Sequence, residues 1–111
     1  MICEPWDVAV VPFPFTESPA VKRRPALVLS ATGFNRASGH TILAMITTAR
    51  HSRWPGDIPL ASAPSGLLKD CVVRMKLFTL DNRLIVRVIS KLAAKERQKV
   101  RASLEQALGA V

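Results

Sequence analysis

Lys22-Arg23-Arg24-Pro25-Ala26-Leu27-Val28-Leu29-Ser30 runs from consecutive cations, through a proline, into an apolar stretch rich in leucine and valine. Proline has no N–H, fixes its own φ and disfavours the helical region for the residue before it. Arg24 is therefore expected to be extended at a strand entrance, with Pro25 opening a strand over residues 25–30. The polar segment 15–24 before it reads as a loop. An arginine held at such an entrance presents a planar, permanently charged fork that matches phosphate oxygens. The same three cations also fit a solvated basic loop.

The segments on either side repeat the β pattern. Residues 7–13 (DVAVVPF) are β-branched and apolar on both faces, and Pro12 within them suggests an edge position or a strand end. A third strand is expected over 41–48 and a short one over 57–60. Two more, 71–79 and 84–90, are joined by Leu80-Asp81-Asn82-Arg83, which reads as a hairpin turn. Residues 31–40, with Gly, Asn and Ser, read as a connection. From Ala93 the period changes, with Ala93, Val100, Leu104 and Leu108 at helical spacing and Gly109 at the position after the helix end. Short strands separated by turn signals, then one helix, predict a mainly β chain forming a small barrel or sandwich. Its 111 residues suffice for one domain, 1–111.

Composition narrows the function classes. Sixteen Lys and Arg against eight Asp and Glu give a formal charge of +8, a field that gathers polyanions. The basic residues are spread along the chain, so folding has to collect them into a patch. A hydrophobic fraction of 49% is high for so short a chain and fits strands buried on both faces, with surface left for a partner subunit. No apolar run approaches a membrane span, and the first residues lack the pattern of a secretory signal. Cys3 and Cys71, like His40 and His51, have no metal-type spacing, so reduced thiols in the cytoplasm are expected and no metal or cofactor.

Beyond Arg24, several residues can carry chemistry. Thr47 and Thr48 end the third strand with their hydroxyls on opposite faces, so at most one can face Arg24. Such a hydroxyl can hold a phosphate oxygen or orient a ribose 2′-OH, although strand-end threonines are also common for β-propensity alone. Arg74 and Lys76 share one face of their strand, as an RNA-tracking strip or as an ordinary solvent face. Trp54, near His51 and Arg53, offers a stacking surface for an unpaired base or an anchor for its loop. There is no Walker-type loop, HExxH or Gly-x-Ser-x-Gly, and the carboxylates are too scattered for a two-metal nuclease. Cutting RNA would then proceed through the 2′-OH, with a base, cationic stabilisation and an acid.

Taken in order, residues 7–16, 22–30, 42–47, 57–60, 66–69, 72–74 and 78–81 resemble the MazF/PemK family of type II toxin–antitoxin endoribonuclease toxins, and the PemK-like branch in particular. The resemblance implies an SH3-like small β-barrel (CcdB/PemK-like) with a C-terminal α-helix, assembled as a homodimer. It implies a growth-inhibiting mRNA interferase that cleaves single-stranded RNA without metal, leaving a 2′,3′-cyclic phosphate and a 5′-OH. A cognate acidic antitoxin would be its protein partner. Arg24 matches the family's Arg-Pro arginine, Thr47 the threonine closing the apolar strand, and Arg74 a basic position that some members use as general acid. Ser30, ending the second strand, is a further candidate for holding RNA, and Arg23, Lys76, His51, Trp54 and Glu17 complete the candidate RNA surface. The sequence departs from the pattern at Lys76, where some members place an aspartate as base. Protonated lysine cannot take a proton, which leaves Glu17 and His51 as candidates for that role. The departure also keeps open a barrel of the same fold that binds a protein target, as gyrase inhibitors do, or binds only RNA or antitoxin.

Overall fold

The computed structural model describes residues 1–13, 22–48, 53–61 and 70–111. Glu17, His51 and the 66–69 motif lie outside the described residues. Six strands form one antiparallel sheet: β1 (Asp7–Phe13), β2 (Lys22–Val28), β3 (His40–Thr48), β4 (Ile58–Pro59), β5 (Cys71–Asp81) and β6 (Arg87–Lys91). Their order is β4-β5-β3-β2-β1-β6. The sheet curls into a half-barrel, with α1 (Thr32–Ser38) between β2 and β3 and α2 (Ala94–Ala107) after β6. This is the mainly β barrel with a C-terminal helix that the sequence predicts.

Prolines set where the ladders stop. Leu29 N–H donates to Ile42 (2.9 Å) and Val28 C=O accepts from Trp6 (2.8 Å). Odd-numbered β2 residues therefore address β3 and even-numbered ones address β1, so the missing N–H of Pro25 falls on the β3 side. The β2–β3 ladder covers only Val28↔Leu43, Leu27↔Ala44 and Ala26↔Met45, ending beside that proline. The β1–β2 ladder is untouched and continues through Val10↔Pro25 and Val11↔Arg24 to Phe13↔Lys22. On the other side of β1, Val10 C=O accepts from Val86 (2.9 Å), so Pro12 faces β6, which pairs no further than Val10↔Arg87. Pro12 thus sits in a central strand but past the end of its second neighbour. Pro59 turns its missing donor to the outer edge of β4, since Leu60 N–H is the group that reaches Cys71 C=O (3.0 Å). The outcome is a two-stranded arm, residues 10–13 and 22–25, in which β2 pairs with β1 alone beyond the last β2–β3 rung.

Both faces of the sheet are buried. Val8, Leu27, Ala44, Ile46 and Val73 pack beneath Val100 of α2, while Ala9, Val11, Ala26, Val28 and Leu43 pack with Cys3, Leu80 and Ile85 on the opposite side. A buried polar hub ties the second cluster together. Asn35 Nδ2 donates to Cys3 C=O (3.0 Å) and Ser30 C=O (3.2 Å), and its Oδ1 accepts from the Ser30 hydroxyl. Asn82 Nδ2 donates to Asn35 C=O (2.7 Å), and its Oδ1 accepts from Thr41 Oγ1 (2.7 Å).

The hub accounts for two corrections. The stretch 31–40 is not a plain connection: seven residues of it form α1, closed by Gly39 at φ 73°. Gly33, Asn35 and Ser38 are poor helix formers, and the turn is held by Asn35 from inside the protein. The expected β5–β6 hairpin does not form either. Asn82–Leu84 make a 3-10 turn that buries Asn82 in the hub, and the chain crosses to pair β6 with β1. A third difference concerns α2, whose buried stripe is Glu96, Val100 and Ser103, whereas Leu108 is exposed.

Asn82→Ala removes both side-chain bonds and leaves the Thr41 hydroxyl and one acceptor of Asn35 without their partner. Unfolding in urea is expected to show a loss of about 2–4 kcal/mol. A loss below about 0.5 kcal/mol would show that the hub is not a fixed part of the fold.

Candidate functional site

Strand register assembles the site on one face of the sheet. Continuing the β2–β3 register past its last pair, Ala26↔Met45, brings Arg24 level with Thr47. Alternation places both on the face that carries Val28 and Leu43. The next strand pairs Thr47↔Val72 and Met45↔Arg74, making Arg74 the diagonal neighbour of Thr47, roughly 7–8 Å away between Cα atoms. Beyond it, Ile58↔Val73 puts Asp57 opposite Arg74.

The two arginines sit in different environments. Arg24 is exposed on the arm, its guanidinium 5.8 Å from the centre of the Phe13 ring. Arg74 is buried and fixed by a two-pronged ion pair, Nε to Asp57 Oδ1 at 3.1 Å and Nη2 to Oδ2 at 2.8 Å. Hydrogen bonding to Asp57 raises the Arg74 pKa above its already high value, against the opposing pull of burial. A guanidinium held this way keeps its charge and is poorly suited to giving up a proton. With both oxygens engaged, Asp57 is equally poorly placed as a base.

Lys76 does not stand in the ladder. Between Ala44↔Leu77 and Met45↔Arg74, β5 carries two extra residues, Met75 and Lys76, in a bulge. The bulge brings Lys76 Nζ to 4.6 Å from the centre of the Trp54 ring, and the Arg74 guanidinium lies 6.0 Å from it. Trp54 remains 39% exposed, so it anchors its loop through two cations and still offers ring surface to solvent. Ser30 is buried, its hydroxyl donated to Asn35 while accepting from Ile42 N–H (2.9 Å), which occupies it in the hub. Arg23, one residue from Arg24, points from the other face of the arm.

Helix α2 positions the segment bearing Trp54 and Asp57. Its buried polar residues both bond that segment's backbone: Glu96 Oε2 accepts from Ala61 N–H (2.7 Å) and Ser103 Oγ donates to Gly56 C=O (2.7 Å). Gly56 has φ +82°, and a Cβ there would lie 2.6 Å from Ser103 Oγ. A left-handed backbone and a close approach by the helix thus require glycine at this turn. Sequence patterns gave no sign of Glu96 or Ser103, which occupy positions where an apolar stripe is expected.

A small antiparallel half-barrel with a C-terminal helix, carrying exposed and buried arginines on one sheet face, defines the class. The sequence model of the PemK-like, MazF-like toxin of type II toxin-antitoxin system matches residues 4–108, and the chain belongs to this family of toxins. Among solved structures it is similar to MazF in a MazE–MazF crystal structure from Deinococcus radiodurans, with TM-score 0.80 and 24% identity over 98% of each chain. An endoribonuclease in complex with its cognate antitoxin from a mycobacterial species gives TM-score 0.73 and 18% identity, over 97% of this chain and 94% of that one. The Mycobacterium tuberculosis toxin MazF-mt6 gives 0.73 and 20%, over 91% and 94%. No curated protein matches the sequence. Among the described residues no helix is long and apolar enough to cross a membrane.

Gly56→Ala is expected to cost about 1–2 kcal/mol through backbone strain and more through the clash with Ser103. Ser103→Ala alone costs about 1 kcal/mol, the lost hydrogen bond. In the Gly56→Ala background it costs nothing or restores stability, because the clash disappears. Additive losses in a urea double-mutant cycle would show that α2 and the turn are not in contact as described.

Proposed function

We propose that this toxin is a metal-independent endoribonuclease that cuts single-stranded RNA, messenger RNA in the cell, through attack of the 2′-OH on the adjacent phosphate. The reading is carried by Arg24, exposed on the arm and on the sheet face that also carries Thr47. Similarity to an endoribonuclease solved in complex with its cognate antitoxin supports it. In this reading Arg24 binds the non-bridging oxygens and stabilises the charge that develops on the phosphorane. Thr47 offers a hydroxyl to a phosphate oxygen or to the 2′-OH. Arg74, kept charged by Asp57, serves as a fixed cation instead of a proton donor, and Lys76 and Trp54 receive the flanking nucleotide. The reaction leaves a 2′,3′-cyclic phosphate and a 5′-OH. Glu17 and His51 remain the candidates for the base. The toxin acts in the cytoplasm as a homodimer, and an acidic antitoxin covers the basic surface.

One observation favours a second reading. The bulge carries Lys76 where a carboxylate base was wanted, and Asp57 is committed to Arg74. A barrel without a base could still arrest growth by binding a protein target such as gyrase. Intact messenger RNA together with damaged DNA in poisoned cells would support that alternative.

Purified protein is expected to cut single-stranded RNA in the presence of EDTA. Arg24→Ala lowers kcat by about 10²–10³-fold, the effect of losing one oxyanion-stabilising group, with the melting temperature unchanged. Full activity of folded Arg24→Ala would remove the arginine from the chemistry. Comparing Glu17→Gln with His51→Gln identifies the base as the one whose loss is similarly large.

A further inference from the structure

The arm has a second face. Opposite Arg24, the register aligns Pro25, Val10 and Arg87 in one row across β2, β1 and β6, with Arg23 on the same face. A β6 bulge at Ile89 adds its side chain. Together with Arg24, these residues line a shallow recess of about 250 Å³. Its floor is apolar (Val10, Pro25, Ile89), and Arg23 and Arg87 stand exposed at its rim. Among the described residues neither of these arginines has a carboxylate partner. Arg87 lies outside every motif that the sequence singles out, and nothing in the reaction just described uses it.

Cations converging on an apolar floor without a counter-ion fit a ligand that brings both a negative charge and a flat, weakly polar body. A nucleotide within an RNA strand has both, with a phosphate for the guanidinium forks and a base or sugar for Val10, Pro25 and Ile89. Among the described residues the β2–β3 ladder stops at Ala26. The arm stands free of β3 over residues 22–25, and Arg24 borders both the reaction face and the recess.

We propose that this recess is a second phosphate-binding subsite, in which Arg23 and Arg87 hold a nucleotide flanking the cleaved bond, so that one RNA strand grips the arm on both faces. The proposal rests on the endoribonuclease reading and extends it beyond the scissile phosphate. Arg24 acts at the bond that breaks, and Arg23 and Arg87 act on affinity and on the length of RNA required.

The test measures binding of a 2′-O-methyl RNA, long enough to span both faces, against salt concentration, alongside steady-state cleavage of the unmodified strand. Arg87→Ala is expected to weaken binding on the order of tenfold and to reduce the slope of log K against log[salt] by about 0.7, one single-strand phosphate contact. The loss falls on KM and not on kcat, and it shrinks when the substrate is a dinucleotide too short to reach the recess. Arg23→Ala behaves alike, and Arg87→Lys restores part of the affinity. Arg36→Ala, which removes an exposed cation from α1, serves as the control and leaves the slope in place. Wild-type affinity and slope in Arg87→Ala would overturn the subsite, as would an equal loss on the dinucleotide. RNA binding unchanged while a Glu-rich peptide loses its hold would assign the recess to an acidic protein segment, which also overturns it. If the wild-type protein neither binds nor cuts RNA, the functional reading itself fails and the subsite with it. If it does both but is indifferent to Arg87, only the subsite fails.

Discussion

One missing hydrogen-bond donor shapes the end of the sheet that carries Arg24. Pro25 sits in β2 with its absent N–H toward β3, and the β2–β3 ladder ends at the neighbouring pair, Ala26↔Met45. The β1–β2 ladder draws on the alternate residues and is not interrupted, so β2 continues with β1 alone as a free arm. Arg24 thereby keeps its extended geometry beyond the last β2–β3 rung, on the face that also carries Thr47. A residue able to donate at position 25 would let β3 follow β2 further and close the gap. Pro12 acts in the same sense on the other side of the arm, where β6 ends. The backbone thus determines where Arg24 stands before its side chain is considered.

The second determinant is electrostatic and is built differently. Arg74 is buried, and burying an unpaired guanidinium would be costly, so Asp57, just before β4, meets it with both oxygens. That pair draws the Trp54–Asp57 turn onto β5. The turn in turn needs Gly56, because α2 passes so close that Ser103 bonds its carbonyl. A chain of contacts therefore runs from the C-terminal helix through one glycine turn to the cation beside Thr47. This explains why the buried stripe of α2 contains Glu96 and Ser103 instead of two leucines: the helix packs on backbone polar groups as much as on apolar side chains.

Much of this could be read from residue order. The strand at 7–13 agrees to the residue, and Arg24-Pro25 and Thr47 mark where β2 and β3 diverge. What could not be read depends on contacts between distant residues. Asn35 makes a helix of a stretch whose local propensities argue against one, and Asn82 turns an apparent hairpin into a crossing to β1. Both depend on a buried hub that joins residues 3, 30, 35, 41 and 82. The Asp57–Arg74 pair becomes visible only when β4 is set in register against β5, and the bulge that displaces Lys76 has no local signal. Arg87 carries no local signal for a similar reason: it joins Arg23 only through the β1–β6 pairing.

A cationic, proline-defined arm beside a strand-end threonine suits cleavage that uses the RNA's own 2′-OH as nucleophile. The most direct measurement is mass analysis of RNA ends after incubation with the purified protein in the absence of divalent metal. The account predicts fragments ending in a 2′,3′-cyclic phosphate, each followed by a fragment beginning with a 5′-OH. Fragments bearing a 3′-OH and a 5′-phosphate would contradict it, because that pattern requires an external nucleophile and not the neighbouring hydroxyl.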